Sequence, residues 1–149
     1  MKIRENGKLG EQLAREFLEH AGYRFIGANY VRRVGEIDII MLSPASPHDE
    51  PIIVFVEVRY RAAKSYGGAL ASIDRKKQRK LLRAANAWLQ KNACSTQLAR
   101  IDVITVEPLP ANHRCTVKDA IASQEQAFDY IWKEHRLQWI QNAVEDSSS

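Results

Sequence analysis

The sequence predicts a single domain of mixed α/β class, with helices alternating with strands along the chain. Three observations predict it. Residues 7–21 and 75–91 carry apolar side chains at helical spacing. Residues 35–42, 52–60 and 100–107 are rich in β-branched and apolar residues and read as strands. The 149 residues, 45% hydrophobic and 27% charged, suffice for one real core and lack the charge excess of a disordered chain.

Asn6 is read as the cap of a helix over residues 7–21 that stops at Gly22 in the C′ position. Leu9, Leu13, Ala14, Phe17, Leu18 and Ala21 share one side of the helical wheel, and Glu11 borders it. Its carboxylate either looks along the sheet that the helix covers or is an ordinary edge glutamate. Gly7 and Gly10 cost helix stability, which points to a close approach by backbone or ligand. Residues 23–29 read as a first strand and 30–34 as a connection carrying Arg32 and Arg33. The strand over 35–42 follows, and alternation puts Glu36 and Asp38 on one face with Ile40 and Leu42. A loop with three prolines, residues 43–51, then leads into the strand over 52–60.

That strand carries a carboxylate and a cation in its hydrophobic middle: Ile53, Phe55, Glu57 and Arg59 share one face. A buried carboxylate needs a cation, a metal or hydrogen bonds to compensate it. If the antiparallel pair formed with 35–42 is centred between Pro47 and His48, Asp38 lies directly across from Glu57. Opposed carboxylates repel, and either a divalent cation between them or an ion pair with Arg59 reverses the sign.

Between Arg59 and Arg83 nine Lys/Arg face only Asp74, so this segment is +8 in a chain of net charge +4 and the remainder is −4. Such concentration is the footprint of a polyanion-binding surface or of a solvated helix face. Arg61 and Lys64 lie in the loop after the strand. Asp74 caps the helix over 75–91, whose first turns carry Arg75, Lys76, Lys77, Arg79 and Lys80. Cations at the positive end of a helix dipole call for a negative neighbour, and phosphate is the obvious one.

A strand over 100–107, a shorter one over 115–121 and a helix over 124–144 complete the reading. The last helix carries Phe128, Ile131, Trp132, His135, Trp139 and Ala143 on one stripe, and packs on its own sheet or meets a second chain. The expected division is therefore a domain over 1–122 and a C-terminal amphipathic helix with a frayed tail over 123–149. The charged N-terminal residues offer no signal peptide and no run is apolar enough to span a bilayer. Cys94 and Cys115 fit no disulfide framework or zinc site, so a cytoplasmic protein with reduced thiols is expected.

Taken in order, Gly7-x-x-Gly10-Glu11, Gly35-Glu36-Ile37-Asp38, Phe55-Val56-Glu57-Val58-Arg59, the basic 75–80 segment and Ile101-Asp102-Val103 closely resemble the YraN-like family of uncharacterised bacterial proteins. Through that family the chain resembles the PD-(D/E)XK nucleases and, among them, the archaeal Holliday-junction resolvases. The resemblance covers about residues 7–121 and lies in the ordered set of motifs. It implies a mixed β-sheet flanked by helices, a restriction-endonuclease-like core, to which the C-terminal helix is an addition. It also implies Asp38 and Glu57 as ligands of Mg²⁺ or Mn²⁺, Glu11 as an auxiliary acid and position 59 as the place of the superfamily lysine.

Arginine at position 59 departs from that pattern, since a guanidinium does not act as a general base. It can still stabilise charge on a phosphate, and Lys64, Lys76 or Lys77 could substitute for the lysine. The C-terminal helix is the second departure and leaves a homodimer open. The expected function is metal-dependent hydrolysis of phosphodiester bonds in DNA, branched or structured, before RNA, with Glu36 and Glu11 completing the acidic cluster through waters. Two rivals remain: a nucleic-acid-binding protein with a degenerate site, and an adaptor whose aromatic tail recruits a partner.

Overall fold

Two helices cover opposite faces of one sheet: α1 (Lys2–His20) lies on one side and α2 (Arg75–Lys91) on the other. The computed structural model describes residues 2–61, 73–92, 98–109 and 127–144. The strands are β1 (Arg24–Arg32), β2 (Gly35–Leu42), β3 (Ile53–Tyr60), β4 (Ala99–Pro108), β5 (Ala127–Trp132) and β6 (His135–Ile140), in the order β1-β2-β3-β4-β6-β5. All neighbours are antiparallel except β3 and β4, whose parallel pairing is bridged in sequence by α2. The result is the expected mixed sheet flanked by helices. Among the described residues, no helix is long and apolar enough to cross a membrane.

Both faces of the sheet are buried. Leu13, Phe17 and Leu18 of α1 pack on Ile39, Met41, Val54, Val56, Ile104 and Leu137. Leu81, Ala84 and Ala85 of α2 pack on Ile40, Phe55, Ile101 and Val103. The α2 bounds match the sequence reading, because Asp74 accepts the Lys77 N–H at 2.7 Å and fixes the first turn. At the end of α1, Gly22 takes a φ of +93°, and the N–H groups of Gly22 and Tyr23 donate to the carbonyls of Glu19 and Leu18 at 3.0 and 2.9 Å. The other end corrects the reading: α1 begins before Asn6, which lies inside it, since Lys, Arg and Glu propagate a helix well.

The C-terminal segment is the main correction. The described part of the expected 124–144 helix is a β-hairpin, β5 and β6, that extends the same sheet as the rest of the chain. Its two-residue turn is Lys133-Glu134, both left-handed at φ +46° and +62°, the geometry a tight hairpin requires but without the usual Asn or Gly. Tyr130, Trp132, Leu137 and Trp139 then fall on the α1 face at a period of two. These aromatics pack against Phe17, so they cover the chain's own core. The expected strand over 115–121 lies outside the described residues.

A second correction concerns β2. Ile39 and Met41 face α1, whereas Ile37 joins the α2 core and Gly35 abuts α2 at Lys80. In β1 the same switch occurs between Ala28, paired with Ile39, and Tyr30, which packs with the α2 core and pairs with Ile37. Asn29 and Asp38 occupy the two intervening positions, and Asn29 has φ +53°. The ribbon turns over there. Strict alternation therefore fails for residues 35–38, and β1 continues past its expected end to Arg32.

The two glycines at opposite ends of this arrangement differ in what they exclude. A Cβ at Gly35 would lie 2.3 Å from the Lys80 carbonyl oxygen, whereas a Cβ at Gly7 in α1 would meet nothing within 4 Å. Gly35→Ala is expected to destabilise the chain by about 1–3 kcal/mol, because backbone must move to admit the methyl group. Gly7→Ala is expected to stabilise it by about 0.5–1 kcal/mol through helix propensity. Urea denaturation of both variants checks the opposed signs.

Candidate acidic site and its basic rim

The site begins where two strands part. Pairing of β2 with β3 runs from Leu42–Ile53 to Ile39–Val56, the register obtained by centring the hairpin between Pro47 and His48. Continued by one residue it sets Asp38 across from Glu57. The ladder instead gives way there, and the Val58 N–H donates to Oδ2 of Asp38 at 2.9 Å. A side chain has replaced a backbone carbonyl as acceptor, which the turning-over of β2 at this residue allows.

Glu57 is only 4% exposed. The Nε of Arg59 and the Nζ of Lys77 approach the same oxygen, Oε1, at 3.4 and 3.5 Å. Among the described residues the other oxygen, Oε2, is buried with no hydrogen-bond donor, and Arg59 Nε makes no hydrogen bond either. Burial raises the Glu57 pKa, and the Asp38 charge raises it further against the opposing pull of Lys77 and Arg59. A carboxylate one donor short in a buried position is under-compensated.

Glu11 joins this group from the other face. Gly10 lets α1 ride down on β3, since a Cβ there would stand 3.3 Å from that of Tyr60 and 3.5 Å from Val58. Burial, then the charges of Asp38 and Glu36, push Glu11 up to about 7. Glu11 is half-buried and within electrostatic reach of Asp38 and Glu36. Glu36 is exposed on the rim of the cluster. Among the described residues, no three His, Cys, Asp or Glu side chains gather at metal-ligating spacing. Asp38 acts on both Glu57 and Glu11, and Glu36 on Glu11.

The cations divide. Lys77 reaches Glu57, so part of the negative charge that the basic start of α2 calls for is this carboxylate. Arg75, Lys76, Arg79 and Lys80 are exposed along the same turns. Arg61 lies at the end of β3, its N–H donating to the Val106 carbonyl at 2.8 Å, and Lys64 is outside the described residues. Sequence reasoning missed Asn29, whose left-handed backbone faces Asp38 across the ribbon. It also gave Asp102 no role. That carboxylate is fully buried and takes hydrogen bonds from Arg100 Nε, Trp139 Nε1 and the Asn142 N–H, each at 2.9 Å. Its acceptors are filled, and it ties β4 to the C-terminal hairpin.

A family model described as "Uncharacterised protein family UPF0102" matches residues 10–106, which span every acidic residue of the cluster. Among curated relatives, a UPF0102 protein of Methylococcus capsulatus is 41% identical over 119 residues, covering 79% of this chain and 91% of the relative. A UPF0102 protein of Pectobacterium carotovorum is 44% identical over 71% of this chain and 86% of its own length. A UPF0102 protein YraN of Salmonella newport is 47% identical over 68% and 74% respectively.

The raised carboxyl groups link folding to pH. Glu11 and Glu57 hold their protons in the folded chain from their ordinary value of 4.5 up to about 7 for Glu11 and further for Glu57, a range over which the unfolded chain has released them. Stability from these groups is therefore full below that window and falls as pH rises through it. Glu57→Gln is expected to gain on the wild type steadily between pH 5 and pH 8, read as the difference in urea midpoint at fixed ionic strength.

Proposed function

The chain belongs to the uncharacterised protein family UPF0102, and from that premise we propose that it is a divalent-cation-dependent nuclease that hydrolyses phosphodiester bonds in DNA. One observation carries the reading: Oε2 of Glu57 is buried in the company of Asp38, another acid, and meets no hydrogen-bond donor among the described residues. Two adjacent carboxylates, that of Glu57 buried, are an oxygen donor set of the kind that suits Mg²⁺ or Mn²⁺, which complete their coordination with water. When bound there, such an ion would activate a water and offset charge on the scissile phosphate. The mixed sheet with a helix on each face agrees with the restriction-endonuclease-like core that the resemblance implies.

The chain's own residues then divide the work. Asp38 and Glu57 would hold the ion. Glu11, half-protonated near neutrality, and Glu36 on the rim would complete the acidic cluster through waters when an ion is bound. Arg59 neutralises charge on the phosphate and does not take a proton from the nucleophile. Arg61, Lys64, Arg75, Lys76, Arg79 and Lys80 hold phosphates on either side, and Lys77 bridges the two groups. Branched or structured DNA is the preferred substrate by analogy with the junction resolvases.

One observation favours a second reading. Arg59 and Lys77 already oppose the charge of Glu57, as they would in a nucleic-acid-binding protein whose site has lost catalysis. Calorimetric titration of Mn²⁺ and cleavage assays on linear and branched DNA separate the two. Asp38→Ala and Glu57→Ala are each expected to abolish ion binding and to cut turnover to about a hundredth or less of wild type. Cleavage retained in both variants would exclude these roles. Steeply salt-dependent DNA binding with no ion-dependent turnover would establish the second reading.

A further inference from the structure

At the end of the β1–β2 hairpin, Val31 and Val34 are 65% and 40% exposed, and between them stand exposed Arg32 and Arg33. Single exposed apolar residues are common on protein surfaces, but two bracketing a pair of cations at a hairpin tip are a concentrated feature. Val31 pairs across the ribbon with Glu36, which puts it beside the acidic cluster. Arg32 is anchored, because its Nε donates to the Tyr30 hydroxyl at 2.8 Å and Tyr30 packs into the α2 core. Gly35 abuts the Lys80 carbonyl, so the tip is seated on the turn of α2 that follows Lys77. Arg33, Lys80 and Lys77 thus mark a cationic path from the hairpin to Glu57.

We propose that this hairpin end, residues 30–36, is a nucleic-acid-binding arm, with Arg32 and Arg33 on backbone phosphates and Val31 and Val34 against sugar or base faces. The inference rests on the nucleic-acid reading of the acidic site and adds a contact surface outside the segment of concentrated positive charge. Its occupant is a polyanion more readily than a second copy of the chain. β1 is an edge strand, and antiparallel pairing of two such edges would bring Arg24 of one copy toward Arg32 of the other. Phosphates meet the same cations favourably, and apolar side chains that flank them find sugar and base surface there.

Fluorescence anisotropy with a labelled four-way DNA junction and a linear duplex, measured across a salt series with the full chain, tests this. Arg32→Ala/Arg33→Ala is expected to weaken binding about tenfold or more and to lower the slope of log K against log salt by about two, one for each lost phosphate contact. Val31→Ser/Val34→Ser is expected to weaken binding with the slope unchanged, and Arg24→Ala, at the far end of β1, to leave both alone. Should loss of the Tyr30 contact unfold the double variant, Arg33→Ala alone is expected to lower the slope by about one. Wild-type affinity and slope in the arm variants, alongside binding lost in Lys76→Ala/Lys80→Ala, would overturn the arm and leave the nucleic-acid reading intact. A wild type that binds neither DNA would overturn both. Sedimentation showing a dimer dissolved by Val31→Ser/Val34→Ser, with DNA binding unchanged, would assign the surface to a second copy.

Discussion

Putting a carboxylate in the interior next to a second carboxylate opposes folding, and the geometry of this chain is arranged around that cost at Glu57. The contrast with Asp102 shows what the cost means. Both acids are buried on neighbouring, parallel strands. Asp102 is surrounded by donors from Arg100, Trp139 and Asn142, so its charge is spent on holding β4 to the last hairpin. Glu57 has two cations near one oxygen, and its other oxygen meets no hydrogen-bond donor among the described residues. A saturated acid is a structural tie; a buried one short of donors is a candidate site.

The backbone around Glu57 is specialised at three points, and all three converge on it. Gly35 has no room for a side chain against α2, Gly10 brings α1 close to β3, and Asn29 takes a left-handed conformation in the middle of a strand. Each is a local concession in stability. Together they turn the β1–β2 ribbon over at Asp38, carry Glu11 toward it from one face and seat α2 with Lys77 on the other. The arrangement explains why glycine immediately precedes Glu36: any larger residue would push away the helix that supplies Lys77.

Much of this was legible in the sequence, and what was not has definite causes. The cap at Asp74 and the apolar spacing behind it placed α2 to the residue, and a symmetric loop gave the register as far as Ile39 and Val56, one residue short of the expected Asp38–Glu57 pair. The C-terminal hairpin was hidden because its aromatics satisfy both a helical and an alternating period, and because its turn uses Lys133 and Glu134 where Asn or Gly would have signalled it. What decides between the periods is the open edge of β4, a tertiary fact. The turning-over at Asn29 was hidden for a related reason. Alternation assumes an uninterrupted strand, and a lone asparagine does not announce a positive φ.

The identity of residue 59 acquires meaning once α2 is in place. A strand lysine could both pair with Glu57 and exchange a proton; the arginine found there can only pair. The ammonium group is delivered instead by Lys77, from a helix turn that Asp74 pins through the Lys77 N–H itself. The two cations reach one carboxylate oxygen by different routes, the guanidinium along the strand and the ammonium down from the helix. Because both stand at Oε1, they meet Glu57 on one side only, and Oε2 meets no donor among the described residues. That asymmetry distinguishes this cluster from a closed ion-pair network. In a closed network every oxygen would find a donor and the site would have nothing left to bind; here the positive charge is gathered at one oxygen, and a cation meeting the other would not have to displace it.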